Sequence, residues 1–595
     1  MEKAQTDMLF EASWEVCNKV GGIYTVVKSK VELMKDNYHN YFMVGPFFAE
    51  KAKIETQQVV PPERLKKVFD KLAKEGIVCY FGKWLVKGEP NVILINFNNV
   101  VSQKNDIKKW LWESYGVDTI NSHWDFEEPM IWSYAVGKLL QYVADEYHNE
   151  KIVGHFHEWL AGIALLHLKS QKLTVKTVFT THATMLGRSL AGNGANLYSA
   201  LESLEPDKEA YNLKIEDKYT TEKACSKHCD VFTTVSEITS MEAEKILGRK
   251  ADVLLLNGLD IQKFPNFEEC SIKHKQCRDV IREFLSYFFF PYYTFDLDQT
   301  LIFFIVGRYE FKNKGLDIFI QVLGRLNDRL KKEGSKKTIA TFFWIPNGVN
   351  GIKTELLESE EKYEQIKEFT DRNMAEIKTK LIRNIMIDKE FTKNSVFNHD
   401  FLIEAKKHMV RFNKEGSPNL CTHYLFNEHE DSIIRAFNDN GLLNRKEDIV
   451  KVINYPVYLD GNDNLLGLKY YDALQGCHLG VFPSYYEPWG YTPLESAALG
   501  VPAITTDLAG YGRFIKAIKK GKNQENAGGI FILDRLNQKF EKIVQNFTDI
   551  LYNYTQLYRK DRVEQKIVAK ELAEYADWRI LIENYIHAHN LALKK

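Results

Sequence analysis

Two glutamates, Glu487 and Glu495, stand eight positions apart within Pro483–Pro502 (PSYYEPWGYTPLESAALGVP). On a single helix a rise of 1.5 Å per residue would separate them by about 12 Å. Retaining glycoside hydrolysis needs two carboxyls about 5 to 5.5 Å apart, so they make a poor acid and nucleophile dyad. Thr492-Pro493-Leu494-Glu495 has the form of a helix start, with Thr492 as N-cap, Pro493 at the first helical position and Glu495 three residues after the cap. Capping and ligand binding both account for Glu495. Glu487 then falls in the preceding loop, where a carboxylate can accept sugar hydroxyls or stabilise positive charge developing at a sugar carbon. A helix opening directly after the apolar run Leu479–Pro483 aims free N–H groups at whatever lies beyond the strand, which suits an anion.

A second group is Gly307–Gly315 (GRYEFKNKG), where Arg308 and Lys314 follow the apolar run Leu301–Val306. Arg308 offers a planar fork and Lys314 a mobile point charge, together able to neutralise a departing diphosphate; taken alone, such a turn is more often plain surface. Near the amino terminus, Lys19 and the pair Gly21-Gly22 precede a helical pattern, and glycine permits close approach of backbone to ligand. The segments His155–Trp159 (HFHEW) and Thr180–Thr184 (TTHAT) both close apolar runs, making His182 and the nearby Arg188 candidates for lining a cleft. H-x-H-E invites a metal reading, yet no third ligand recurs at suitable spacing and Cys225-x-x-x-Cys229 lacks a paired CxxC, so no metal is expected.

The elements that must position these residues are short apolar runs (151–155, 177–181, 231–235, 251–256, 301–306), each followed by a turn and a helical pattern. That alternation predicts parallel strands buried on both faces, hence an α/β fold of doubly wound sheets with ligands at the strands' carboxyl ends. A chain of 595 residues exceeds one core. Two sheet domains are expected, 1–258 and 259–575, joined through an irregular aromatic stretch at Phe288–Tyr293; Asn257-Gly258 as a mere surface turn within one large sheet is the other reading. Residues 356–387 are charged, free of Pro and Gly, and carry Ile366, Met374, Ile377, Leu381 and Ile385 at helical spacing, predicting long amphipathic helices for self-association or for packing on their own domain. Lys plus Arg number 79 against 80 Asp plus Glu, so no overall field recruits nucleic acid or an anionic membrane. Eight irregularly spaced cysteines, no apolar run of about 18 residues and an acid-bearing amino terminus point to the cytosol.

At these motifs the sequence resembles the eukaryotic glycogen synthases, retaining glycosyltransferases of the GT-B architecture. The segments that carry the resemblance are EASWEVCNKVGGIYTVV from Glu11, HFHEWLAG from His155, FTTHATMLGR from Phe179, FTTVSEITSMEAE from Phe232, IVGRYEFKNKG from Ile305 and the long run from Tyr485, spanning Glu11 to about Trp578. The resemblance implies two Rossmann-like domains facing a cleft and transfer of glucose from UDP-glucose to the non-reducing 4-hydroxyl of an α-1,4-glucan, without cofactor. It implies that Arg308 and Lys314 bind the diphosphate, Glu487 contacts the transferring glucose, and His182 acts through its backbone carbonyl. Lys19, Gly21, Gly22, Arg188, Trp489, Gly490, Tyr491, Thr492 and Glu495 would line the substrate, with Tyr470 stacking on uracil. It further implies a homotetramer built on a helical insertion at about 356–390, a last segment 576–595 crossing back to the first domain, a glycogenin-like primer partner and association with glycogen particles.

Family members are activated by glucose 6-phosphate. His274, Arg278 and His478 match the pocket positions, and Arg559, Arg562 and Lys566 fall on one basic helix, although a solvated basic face reads as well. Glu268, Ser271, Val568 and Glu571 depart from the pattern, implying activation that is weakened or absent. Phosphorylation control through extended tails is not expected. A synthase using ADP-glucose, a phosphorylase-like enzyme and an inactive glucan-binding scaffold are the competing readings.

Overall fold

The computed structural model describes residues 2–387, 392–525 and 527–595. Its first sheet is built from β1 (Met8–Ala12), β2 (Tyr41–Pro46), β3 (Thr56–Gln58), β4 (Val78–Trp84), β5 (Asn91–Asn96), β6 (Ile152–His157), β7 (Lys176–Thr181), β8 (Val231–Thr234) and β9 (Val253–Leu254). They lie in the order β3-β4-β5-β2-β1-β6-β7-β8-β9, with only the pairs β3–β4 and β4–β5 antiparallel. The order reverses between β1 and β6, so the loops after these two strands open side by side.

The second lobe holds β10 (Thr300–Val306), β11 (Thr338–Trp344), the antiparallel pair β12 (Val349–Ile352) and β13 (His423–Leu425), then β14 (Val450–Asn454), β15 (Leu479–Val481), β16 (Ala503–Thr506) and β17 (Ile530–Leu533). Its main sheet runs β14-β11-β10-β15-β16-β17, all parallel, and reverses between β10 and β15. Lys19, Gly21 and Gly22 follow β1, Arg308 and Lys314 follow β10 and Glu487 follows β15, all strands at these two reversals, whereas His182 and Arg188 follow β7, one strand beyond β6. Both lobes have doubly wound parallel sheets with helices on each face, the GT-B arrangement.

The aromatic stretch 288–293 is not an irregular crossover. Phe267–Phe289 is one 23-residue helix, started by a capping box of Asn266 and Glu269. It persists because Phe284, Phe288 and Phe289 are buried in the second lobe's core, Phe284 packing on Phe342 and Tyr455 of the sheet layer. The chain instead passes between lobes at Gly258-Leu259 and again at Ala576–Trp578, and the two passages touch. Leu259 N donates to Ala576 O at 2.9 Å and Trp578 N to Leu259 O at 3.1 Å. A β-carbon on Gly258 would stand 2.5 Å from the Trp578 ring, so only glycine admits that indole.

The last helix, Trp578–Lys594, lies on the first lobe. Trp578 Nε1 donates to Ser29 Oγ at 2.8 Å and His589 Nδ1 meets Tyr38 OH at 2.6 Å. In the second lobe Thr354–Met386 forms a 33-residue helix, paired with His399–Phe412 through the stacked rings of Phe369 and Phe401, 4.7 Å apart. Its distal face leaves Leu381, Ile382, Ile385 and Met386 exposed; residues 388–390 of the expected insertion lie outside the described residues. No helix among the described residues is long and apolar enough to cross a membrane.

Candidate active site

Lys314 and Glu487 meet where the second sheet reverses. Lys314 Nζ donates to Glu487 Oε2 at 2.6 Å, both side chains about one-fifth exposed. The adjacency follows from the sheet, because β10 pairs with β15 and the loops after them run together. Tyr485 N donates to Asn313 O at 2.8 Å, and Gly315, at φ 70°, starts the helix Leu316–Lys332 so close that a β-carbon would stand 2.1 Å from Pro483 O. Arg308 does not join them directly. Its side chain is 82% exposed and pairs with Glu310 at 2.8 Å, because it leaves the strand before the turn that brings Lys314 back.

The helix after Glu487 begins earlier than its sequence suggests. It spans Tyr491–Ala498 with Gly490 as N-cap at φ 111°, so Thr492 is not the cap and Pro493 not the first position. Glu495 is therefore no capping residue: its carboxylate accepts Tyr470 OH at 2.8 Å and Tyr471 OH at 3.0 Å. Desolvation pushes its pKa up while both phenols oppose the shift. The Trp489 ring is not a cleft group either, being buried against Tyr511 and Phe514. Tyr491 reaches the lobe junction, its OH donating to Gly258 O at 3.3 Å. Gly490 holds a backbone that side chains rarely adopt, so Gly490→Ala should cost about 1–3 kcal/mol. The expected readout is a lowered melting temperature.

Across the cleft, His182 follows β7. Its backbone N–H donates to Glu158 Oε1 at 2.8 Å, and the Ala183 N–H reaches the same oxygen at 3.2 Å. Glu158 adopts φ 64°, a left-handed backbone that turns its carboxylate back under this loop. Burial pushes the Glu158 carboxyl up, with Arg188 and the two amides acting against it. Arg188 is exposed; buried Glu222 and Glu242 lie nearby, and desolvation raises the Glu242 carboxyl to about 7. Tyr486, beside Glu487, donates to Glu242 at 3.1 Å, while Arg513–Glu237 at 2.8 Å and Lys312 Nζ to Gly194 O at 2.6 Å also join the lobes. A cavity of about 170 Å³ between them is lined by Tyr198, Asn313, Tyr485, Tyr486 and Arg535.

Lys19, Gly21 and Gly22 are exposed at the entrance of the helix Gly22–Asn37. Sequence reasoning missed Glu15, whose Oε2 accepts Gly21 N at 2.7 Å and Tyr24 N at 2.9 Å and thereby occupies this helix start. It also missed Glu11, which accepts Lys30 Nζ at 2.5 Å, His157 Nε2 at 2.6 Å and Tyr41 OH at 2.5 Å. The signal was an acid inside the apolar run MLFEA, a strand buried on both faces. Glu11, His155 and His157 lie close enough to suggest a metal trio. Their ligand atoms are already engaged, however: Lys30 neutralises Glu11, and His155 uses Nε2 on Thr180 at 2.6 Å and Nδ1 on His589 at 3.0 Å.

The basic residues of the second lobe gather around the amino-terminal half of Phe267–Phe289, at His274 and Arg278. Lys566 Nζ donates to His274 Nδ1 at 2.8 Å, His274 Nε2 to Leu499 O at 2.9 Å, and Arg278 to the carbonyls of Gly476 and Cys477. His478 Nδ1 accepts Ile302 N at 3.0 Å. Burial, then the charges of Arg278, Arg562 and Arg559, hold Lys566 down at about 7. Arg562 Nη1 donates to Leu557 O at 2.7 Å, and Arg559 begins the helix.

The profile of the family described as Glycogen synthase matches residues 11–595. The chain is 36% identical over 591 residues to the liver glycogen [starch] synthase of Mus musculus, covering 99% of this chain and 83% of the relative. To glycogen [starch] synthase isoform 1 of Saccharomyces cerevisiae it is 36% identical over 612 residues, covering 99% and 86%. The catalytic domain of Starch Synthase IV from Arabidopsis thaliana, bound to ADP and acarbose, has a similar fold, with a TM-score of 0.53 at 13% identity over 99% of this chain and 100% of that one.

Proposed function

The chain belongs to the glycogen synthase family, and from that premise we propose that it transfers glucose from UDP-glucose to the non-reducing 4-hydroxyl of an α-1,4-glucan with retained configuration. The observation that carries the reading is the ammonium of Lys314 held on the Glu487 carboxylate where the second sheet reverses. Lys314, joined by Arg308 once a ligand draws its exposed guanidinium away from Glu310, neutralises the diphosphate. The sugar's C1–O bond to phosphate breaks and the bond to the acceptor oxygen forms on the same face, while the acceptor's proton passes to the departing phosphate oxygen. Preorganised charge where negative charge develops is the largest catalytic contribution available here. Glu487 orients the hexose, and closure of the lobes excludes water. No metal or organic cofactor enters these steps. Gly490 and Thr492 bring backbone to the sugar, Glu495 and Tyr470 hold the nucleoside side, and His182 and Arg188 close the site from the first lobe. The test is nucleotide release from UDP-glucose and ADP-glucose with glycogen as acceptor. Preference for the uridine donor is expected, and absence of release from either would leave only a glucan-binding scaffold.

His274, Arg278, His478, Arg559, Arg562 and Lys566 suit the phosphate of a hexose phosphate such as glucose 6-phosphate. Activation is expected to strengthen as pH falls through the neighbourhood of 7, where Lys566 gains its charge. With Lys566→Ala the activator should leave the rate where it was; rate against glucose 6-phosphate at several pH values checks both. The exposed apolar face of Thr354–Met386 suits a homotetramer contact. Cytosolic placement on glycogen particles and priming by a glycogenin-like protein complete the reading.

A further inference from the structure

The polar network behind His182 has a direction. Glu11 is fully buried on its strand, and its carboxylate can only accept; the Lys30 ammonium and Tyr41 hydroxyl already donate to it. His157 Nε2, 2.6 Å away, must therefore carry a proton, which in a neutral ring leaves Nδ1 as an acceptor. Both rings are buried and Lys30 already neutralises Glu11, so a second positive charge at His157 or His182 would lie uncompensated in the interior; both rings are neutral, and burial shifts both toward that form. His182 Nε2 lies 2.9 Å from His157 Nδ1 and must donate to it. Its own Nδ1 is then a lone pair. That atom has no hydrogen-bond partner among the described residues and is not among the sealed, unpartnered atoms of the interior.

We infer that Glu11 and His157 are positioning residues that fix His182 as the Nε2–H tautomer, so that the ring offers the cleft an acceptor matched to a sugar hydroxyl rather than a donor. The Glu158 carboxylate holds the His182 backbone by separate bonds, so ring polarity and loop position are set independently. Lys30 completes the arrangement by keeping Glu11 ionised in the interior. The inference rests on the reading that His182 faces the transferred hexose.

The test compares rates with UDP-glucose and its monodeoxy sugar analogues for wild type, His182→Ala and the double variant Glu11→Gln with Lys30→Met, which removes both buried charges together. Wild type should discriminate against the analogue lacking the hydroxyl that Nδ1 accepts. His182→Ala should abolish that discrimination, and the double variant should reduce it by at least about fivefold, since a Gln amide fixes neither tautomer. Equal losses with every donor in the double variant would mark Glu11 as merely structural and overturn the inference. Retained discrimination in His182→Ala would instead sink the placement of His182 itself, and the inference with it. Should the double variant not fold, long-range proton–nitrogen correlation on wild-type enzyme labelled at histidine nitrogen reads the tautomer directly, His182 being assigned by its loss in His182→Ala. A protonated Nε2 with bare Nδ1 upholds the inference, and a protonated Nδ1 overturns it.

Discussion

Lys314→Ala is expected to lower kcat/KM about 10²–10³-fold with little change in melting temperature. The expectation divides into two physical parts. An ion pair about one-fifth exposed contributes modestly to folding, because solvent screens it and the long side chain loses entropy to hold one geometry. In the proposed mechanism the same ammonium acts on charge that exists only as the bond to the departing diphosphate breaks, and loss of one such donor costs about 2.7–4 kcal/mol in the barrier. Steady-state kinetics on a purified variant with native thermal unfolding separates the two. Near-normal turnover would mean that Lys314 is an ordinary partner of Glu487 and that the diphosphate lies elsewhere. Lys314→Arg should recover only part of the rate, since a planar fork cannot follow the same path as a point charge.

Lys30→Met should be the more damaging change to stability, by about 3–5 kcal/mol, because it strands a buried carboxylate. Both side chains of the Lys30–Glu11 pair are fully sealed from solvent. Burial pushes the Glu11 carboxyl up, but Lys30 and His157 more than reverse this and hold it well below the usual range. A carboxyl whose folded pKa is depressed contributes stability above its unfolded pKa and loses it as pH falls through the folded value. Wild type should therefore lose this contribution only in strong acid. In Lys30→Met the carboxyl loses its main counter-charge, its pKa rises, and the variant should be relatively more stable in mild acid than at neutral pH. Melting temperature against pH for both proteins checks the sign, and a variant with unchanged stability at neutral pH would show that Tyr41 and His157 alone satisfy Glu11.

Much of the frame was legible in the sequence because strands buried on both faces are written as uninterrupted apolar runs, and parallel α/β sheets place chemistry at the ends of such runs. The ends of such runs single out Lys314, Glu487 and His182, and the first two meet in the structure. What stayed hidden depends on partners far along the chain. The Thr492–Glu495 pattern satisfies every local rule for a cap, yet Gly490 starts the helix two residues sooner and Tyr470 and Tyr471 claim the carboxylate. Arg308 and Lys314 share one short turn, but nothing local states that the first faces water and the second returns to the sheet. Lys30 looks like any surface lysine of an amphipathic helix until Glu11 is seen beneath it. A buried acid in MLFEA was the available clue, since a charge on a doubly covered strand requires a counter-charge.

The helix Trp578–Lys594 gives the molecule a history as well as a shape. Its His589 meets Tyr38 and His155 across sequence separations of 551 and 434 residues. On the ribosome, the nine strands of the first sheet emerge long before this helix does, and their flank must wait while the entire second lobe is translated. The first lobe, made before the second, is thus finished only after it, leaving an apolar shelf uncovered while the second lobe is made, where a holdase chaperone would find its grip.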